Sequence, residues 1–500
     1  MRTHRLVAIA VAILAAAVAA LLFAPGAPAL ADTRDTGDAA LARRVHDLIP
    51  DPDGFRGLAV ATVEDGRVRF AGLGDAGGGR PVTADTPFEN GSVTKVYTAM
   101  LFADMVARGE VEATDTLGDL LPGRAFEDPA VASVTLEELA SHRSGLPRLA
   151  PAGLGGLVNS VWANLSGGDP YRESDAAAVL DVAGRISAGA GRGEVSYSNL
   201  GMSVLGQALA VRAGAPYPDL VRERLFAPVG MTATGFRPDG APLPAGAATG
   251  GRASGRAVQP WSDPSYAPAG IGDWTTANDL VTLLSATMAG SAPGADAARP
   301  RFTEDDTSRI GYGWFTTRYG DREITWHNGG TGGFRAYVGF DRAAGRGVVV
   351  LGNTDRDVDP VGVALLGGRE DAGSAGGSAP MLVVTLVLLL ATVSPLITAL
   401  TVRGGRWWPA PDRLRLVTGI ASAAAGLTLA YALGAWTALP GPLWTVGFGL
   451  TAAAVAVTAL RWRSLPAVRG GQRGLRVGTA AVSVAISLAA IGAVTLAATG

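Results

Sequence analysis

The chain has 500 residues, is 48% hydrophobic, and carries a formal charge of only −2 with no cysteine. That composition excludes disulfides, a thiol nucleophile and thiolate metal sites, and it is too apolar overall for an ordinary soluble protein. Four histidines (His4, His46, His142 and His327) without metal-ligating spacing give no reason to expect a catalytic metal, and no cofactor is expected.

The first apolar run, residues 6–24, follows Arg2 and Arg5 and precedes Ala29-Leu30-Ala31. This order predicts a secretory signal over 1–31, with an uncleaved anchor as the alternative. Residues 32–366 then read as one exported domain. A helix is predicted at about 38–49. A hairpin follows in GLAVATVEDGRVRFAGLG, folded about Asp65-Gly66. A helix is expected from Ser92 to about Arg108, and a largely helical stretch with glycine- and proline-rich loops over 110–290. Three strand-like runs come next, YGWFTTR, REITWHN and FRAYVGF, then GVVVLGN and a short helix near 359–366. Strands at both ends with helices between them predict an α+β fold: an antiparallel sheet flanked by helices, beside a helical lobe.

Residues 367–380 read as a flexible tether rich in glycine and serine. Beyond it, four uncharged apolar runs (381–402, 416–436, 444–460 and 477–499) each approach the ~20 residues that cross a bilayer. Arg403, Arg406, Arg413 and Arg415 separate the first two runs; Arg461, Arg463, Arg469, Arg473 and Arg476 separate the last two. The positive-inside rule places both arginine loops in the cytoplasm and residues 32–380 outside. Trp407, Trp408, Trp444 and Trp462 fall where an interfacial aromatic belt would. A multi-pass cell-membrane protein in contact with lipid is therefore expected, its oligomeric state open. The exported part holds 31 basic against 43 acidic side chains, which excludes nucleic acid as a partner.

Of the 42 basic side chains, 41 are arginine; the one lysine is Lys95, in GSVTKVYTAM. Guanidinium does not lose its proton in proteins, whereas a buried ammonium readily does. Ser92 precedes Lys95 by three residues, on the same face of the expected helix. Burial would lower the lysine pKa and leave an amine able to take the serine proton, so Ser92 and Lys95 are candidate nucleophile and base. The second cluster is EVSYSNLGMSVLG. Tyr197 is a proton shuttle if a nearby cation lowers its pKa, and Asn199 either binds a substrate amide or positions Lys95. The third is ITWHNGGTGGF, where His327 runs into glycines that let a ligand approach a strand edge.

Ser-x-x-Lys, Tyr-x-Asn and His-x-Gly in this order resemble the serine β-lactamase and penicillin-binding superfamily, most closely its class C β-lactamase-related branch. LEELASHRSGLPRL, RERLFAPVGMTATGF, APAGIGDWTTANDL and GYGWF are similar to that branch too, so the resemblance covers about 38–365. The third motif departs from the Lys-Thr-Gly of class A enzymes. The resemblance implies Ser92 as nucleophile, Lys95 as its activator and Tyr197 as general acid/base. It implies substrate contacts from Asn199 and from the strand His327-Asn328-Gly329, with His327 completing the network around Tyr197. The backbone N–H groups of Ser92 and Gly330 would form the oxyanion hole. Expected substrates are a D-Ala-D-Ala stem peptide of peptidoglycan, a β-lactam, a D-amino-acid peptide or an ester. A non-catalytic penicillin-binding-type sensor signalling through the membrane helices is the alternative.

Overall fold

The computed structural model describes residues 22–171, 175–238, 240–368, 378–402, 410–470 and 472–499, with scattered positions between 7 and 19. Arg2, Arg5 and much of the expected signal, most of the tether, and Arg403, Arg406, Trp407 and Trp408 lie outside the described residues.

Asp38 starts helix α1 (Ala39–Leu48) by accepting the N–H groups of Ala40 and Leu41, and Leu41, Ala42 and Val45 turn inward. Strands β1 (Gly57–Glu64) and β2 (Arg67–Gly77) pair antiparallel across Asp65-Gly66, both at positive φ (50° and 74°). Such a two-residue turn matches the twist of its strands. The helix expected from Ser92 begins two residues later. Gly91–Val93 is a 3-10 turn, and α2 runs Thr94–Ala107. Asn90 supplies no side-chain cap, because its amide donates to Tyr97 and Asp273 instead, and the tighter turn takes up the uncapped end.

The helical lobe includes α3 (Leu154–Ser166), α4 (Asn199–Ala213) and α5 (Ala277–Ala289). The chain returns to the sheet in β3 (Phe315–Tyr319), β4 (Arg322–Gly330), β5 (Arg335–Asp341) and β6 (Arg346–Gly352), then closes in α6 (Asp359–Leu365). The antiparallel order is β2-β1-β6-β5-β4-β3, so β6 from the end of the domain lies beside β1 from its start, Gly352 opposite Leu58. Shorter strands extend both edges.

Alternation along the strands builds two cores. Ala59, Ala61, Val338, Phe340, Val349 and Leu351 face the helical lobe. Leu58, Val60, Tyr337, Val348 and Val350 face the other way, under α1 and α6. Helix α2 is buried on nearly all sides in the first core, which is why its sequence lacks a polar face.

Among the described residues four further helices are long and apolar enough to cross a membrane: Pro380–Leu400, Arg413–Leu433, Pro442–Ser464 and Arg473–Thr495. The first breaks at Thr392 into Ser378–Ala391 and Val393–Leu400. Pro395 explains the break, since it has no N–H and its ring crowds the carbonyl four residues back. The buried Asp412 joins the two arginine loops. Its carboxylate accepts from the N–H groups of Arg415 (2.8 Å) and Arg469 (3.0 Å) and from the Arg476 guanidinium (3.0 Å). At the opposite end, the uncharged turn between the second and third helices reaches the domain built on the sheet. There the Thr437 methyl lies 3.0 Å from where a Cβ on Gly54 would stand.

Candidate active site

Three pieces of chain meet at Ser92. The first is the 3-10 turn that carries it, half-buried, with Lys95 one helical turn on and fully enclosed. Lys95 Nζ lies 2.8 Å from Ser92 Oγ and donates to the Ala269 carbonyl at 2.7 Å. Among the described residues no carboxylate pairs with it. Burial, and secondarily the Arg148 guanidinium, push the lysine well below the ordinary ammonium range. An ammonium held there unpaired costs several kcal/mol, which favours the neutral amine.

The second piece brings Tyr197 and Asn199. Ser198 caps α4 by accepting the Gly201 N–H at 2.8 Å, which leaves the Asn199 side chain unused by the helix. Asn199 Oδ1 is buried and has no partner among the described residues. Lys95 Nζ and Arg148 Cζ stand 5.0 and 5.1 Å from the centre of the Tyr197 ring. The cation that a proton shuttle would need is present, and Arg148 does lower the Tyr197 pKa, but the net shift is upward. Burial outweighs the hydrogen bond with Ser92 and the charge of Arg148, and pushes the phenol up to about 12. The resting tyrosine therefore keeps its proton.

The third piece is the end of β4. His327 is fully buried, and its Nδ1 donates to the Asn328 carbonyl at 2.6 Å, so Nε2 holds the lone pair. Burial and nearby Lys95 push its pKa down to about 3. The His327 and Tyr197 rings are 6.2 Å apart. Gly329 and Gly330 pass directly over the turn that carries Ser92. A Cβ on Gly329 would stand 3.1 Å from Ser92 N and strike the Asn90 carbonyl; one on Gly91 (φ 55°) would stand 2.7 Å from Gly330 N. Only glycines permit this backbone-to-backbone approach, which sets the N–H groups of Ser92 and Gly330 beside one another.

The side chain of Asn328, expected to bind substrate, does not join the cluster. Asn328 lies opposite Tyr337 in the sheet and donates to the Asp359 carboxylate of α6. Strand alternation turns it to the other core when His327 faces Ser92.

His142, Glu89 and Asp273 belong to the surroundings of the site and were not singled out from the sequence as site residues. His142 sits at φ 57° after Ala140, an uncommon conformation for a non-glycine. Its carbonyl accepts the Ser196 N–H at 2.7 Å and its Nδ1 the Ser198 N–H at 3.3 Å, the residues on either side of Tyr197. Its ring packs 4.5 Å from that of Tyr197. Asp273 accepts from Asn90 (3.0 Å) and Thr94 (2.6 Å), and burial raises it to about 7. Glu89 accepts from Thr331 (2.6 Å) and the Trp261 N–H (2.8 Å), and burial raises it to about 8. These acids brace the segments on either side of Ser92. A histidine in SHRSG, preceding a glycine, was the available signal for His142.

The family model named beta-lactamase matches residues 44–367. The chain is 33% identical over 178 residues to penicillin-binding protein 4 of Amycolatopsis lactamdurans, covering 35% of this chain and 43% of that protein. It is 28% identical over 188 residues to the D-alanyl-D-alanine-carboxypeptidase/endopeptidase AmpH of Escherichia coli K12, covering 37% and 46%. With esterase EstB of Burkholderia gladioli it shares 29% over 328 residues, 57% of this chain and 82% of the esterase. The alignment spans less than half the length of the first two relatives. A class C β-lactamase from Rhodobacter sphaeroides superposes with a TM-score of 0.55 at 22% identity, over 66% of this chain and 97% of that one, a likeness of fold. The chain belongs to the beta-lactamase family of serine hydrolases.

Proposed function

We propose that the protein is a membrane-tethered, extracytoplasmic serine hydrolase that works through an acyl-enzyme on Ser92. The observation that carries this reading is Lys95, fully buried with its Nζ 2.8 Å from the Ser92 hydroxyl and no carboxylate paired with it among the described residues, a setting that pushes the ammonium pKa down. Ser92 Oγ attacks the substrate carbonyl as Lys95 takes its proton. The N–H groups of Ser92 and Gly330 receive the developing oxyanion, each worth a few kcal/mol in such sites. Tyr197, protonated at rest, gives its proton to the leaving group and recovers one from Lys95. In deacylation the same groups draw a proton from water and return one to Ser92 Oγ. Asn199 holds a substrate amide with its unpaired oxygen, and His327 keeps a neutral acceptor near Tyr197. Substrates are carbonyl compounds that this family's chemistry suits: a D-Ala-D-Ala peptide, a β-lactam or an ester.

Two features support the orientation. The arginine loops gather on Asp412 at one end of the apolar helices, and the uncharged turn near Thr437 meets the hydrolase domain at the other. The proposed division is a signal at 1–31, the hydrolase at 32–366, a tether at 367–380 and a membrane part at 381–500.

The test is covalent labelling. A fluorescent penicillin or fluorophosphonate probe should leave an adduct on the peptide containing residues 91–100, and Ser92→Ala should abolish it. Labelling that survives the substitution refutes Ser92 as nucleophile.

A further inference from the structure

From Leu149 to Gly168 the chain runs twenty residues without a charged side chain. Most of this stretch is helix α3, whose apolar residues are not in the core. Leu154, Leu157, Val158, Val161 and Trp162 are between 44% and 79% exposed. Their spacing, i, i+3, i+4, i+7 and i+8, collects them on one face. The opposite face is made of small and polar residues: Ala163 is buried, and Asn159 donates to the Pro170 carbonyl at 2.8 Å. A continuous apolar face of this kind is uncommon on a soluble surface and marks a place of contact.

Two observations say what the contact is. Helix α3 packs against the second and fourth of the apolar helices, Arg413–Leu433 and Arg473–Thr499, so its exposed face continues the surface those helices would offer to lipid. It also has a tryptophan among its apolar residues and no basic residue, the composition of a helix that enters the interface by hydrophobic burial rather than by attraction to anionic headgroups. We propose that α3 lies in the lipid–water interface of the bilayer and seats the mouth of the site on the membrane surface. Both ends of the segment border the site. Arg148, just before it, stands over the Tyr197 ring, and the Ala150 N–H donates to the Tyr266 hydroxyl at 3.0 Å. Tyr171, just after it, packs against Trp261 and Tyr266 at 5.5 and 5.4 Å.

The inference rests on the four apolar helices spanning the membrane, and its test separates the two. Because the chain lacks cysteine, single cysteines accept a label cleanly. Leu157→Cys, Val161→Cys, Val446→Cys (exposed, on the third apolar helix) and Asp321→Cys (exposed, in the turn after β3) would each carry an environment-sensitive fluorophore. The full chain is placed in phosphatidylcholine nanodiscs and quenched with lipid-borne nitroxide or aqueous iodide. Labels at 157 and 161 should follow 446, quenched several-fold more by nitroxide than by iodide, while 321 shows the reverse. If 446 is lipid-quenched and 157 and 161 respond to iodide, or resist both quenchers as in a protein contact, the inference alone fails. If 446 itself responds to iodide, the membrane reading fails with it.

Discussion

Lys95 was legible because composition made it conspicuous, and the structure supplies the reason for its burial: Ala269 and Ser92 are its only hydrogen-bond partners among the described residues. Lys95→Arg keeps a positive charge but cannot become neutral, and a planar group must fit where a slender one stood. The variant should acylate ~10³-fold or more slowly, measured as the rate of probe adduct formation, and should also lose stability in thermal unfolding because the buried guanidinium has no anionic partner among the described residues. In the wild type the acylation rate should be steady near neutral pH, then fall as the pH drops through the depressed lysine pKa and the amine gains its proton. His142 was not legible in the same way. Its part depends on a backbone at φ 57° and on contact with residues more than fifty positions away, neither of which a local pattern encodes. Asparagine tolerates that conformation and offers an acceptor oxygen; leucine does neither. His142→Asn should retain most of the acylation rate, while His142→Leu should lose ~10-fold or more, on the scale of misplacing an acid/base group. Equal rates in the two variants would reduce His142 to packing.

Among the elements, the sheet was the most readable part, since period-two runs and an Asp-Gly turn report strands directly. The start of α2 was missed by two residues because Gly91–Val93 winds as a tighter 3-10 turn, with Asn90 before it engaged by Asp273 across the fold. Strand β4 shows both the strength and the omission of the sequence reading. It identified His327 and the glycines, and alternation from His327 already implied that Asn328 points away. Asn328→Ala should therefore leave KM and the acylation rate near wild type. It should instead cost about 1 kcal/mol of stability, seen in thermal or denaturant unfolding, by removing the half-buried hydrogen bond to Asp359. A selective rise in KM with unchanged stability would return Asn328 to the substrate.

For the whole molecule, the arginine loops and apolar runs foretold four helices, while the tie between the loops was hidden because Asp412 looked like a stray acid. A reporter placed after Gly470 should be active only in the cytoplasm and one after Gly500 only outside, as enzyme-fusion activities in whole cells would read. The reverse pattern would overturn the orientation. The helices do not stand as two adjacent hairpins. The second packs on the fourth, and the lower half of the first on the third, with Asp412 binding the loops that join them. Such interleaving packs the four against one another, and because the turn at Thr437 lies against Gly54, the helices and the hydrolase domain also meet at a point other than the tether.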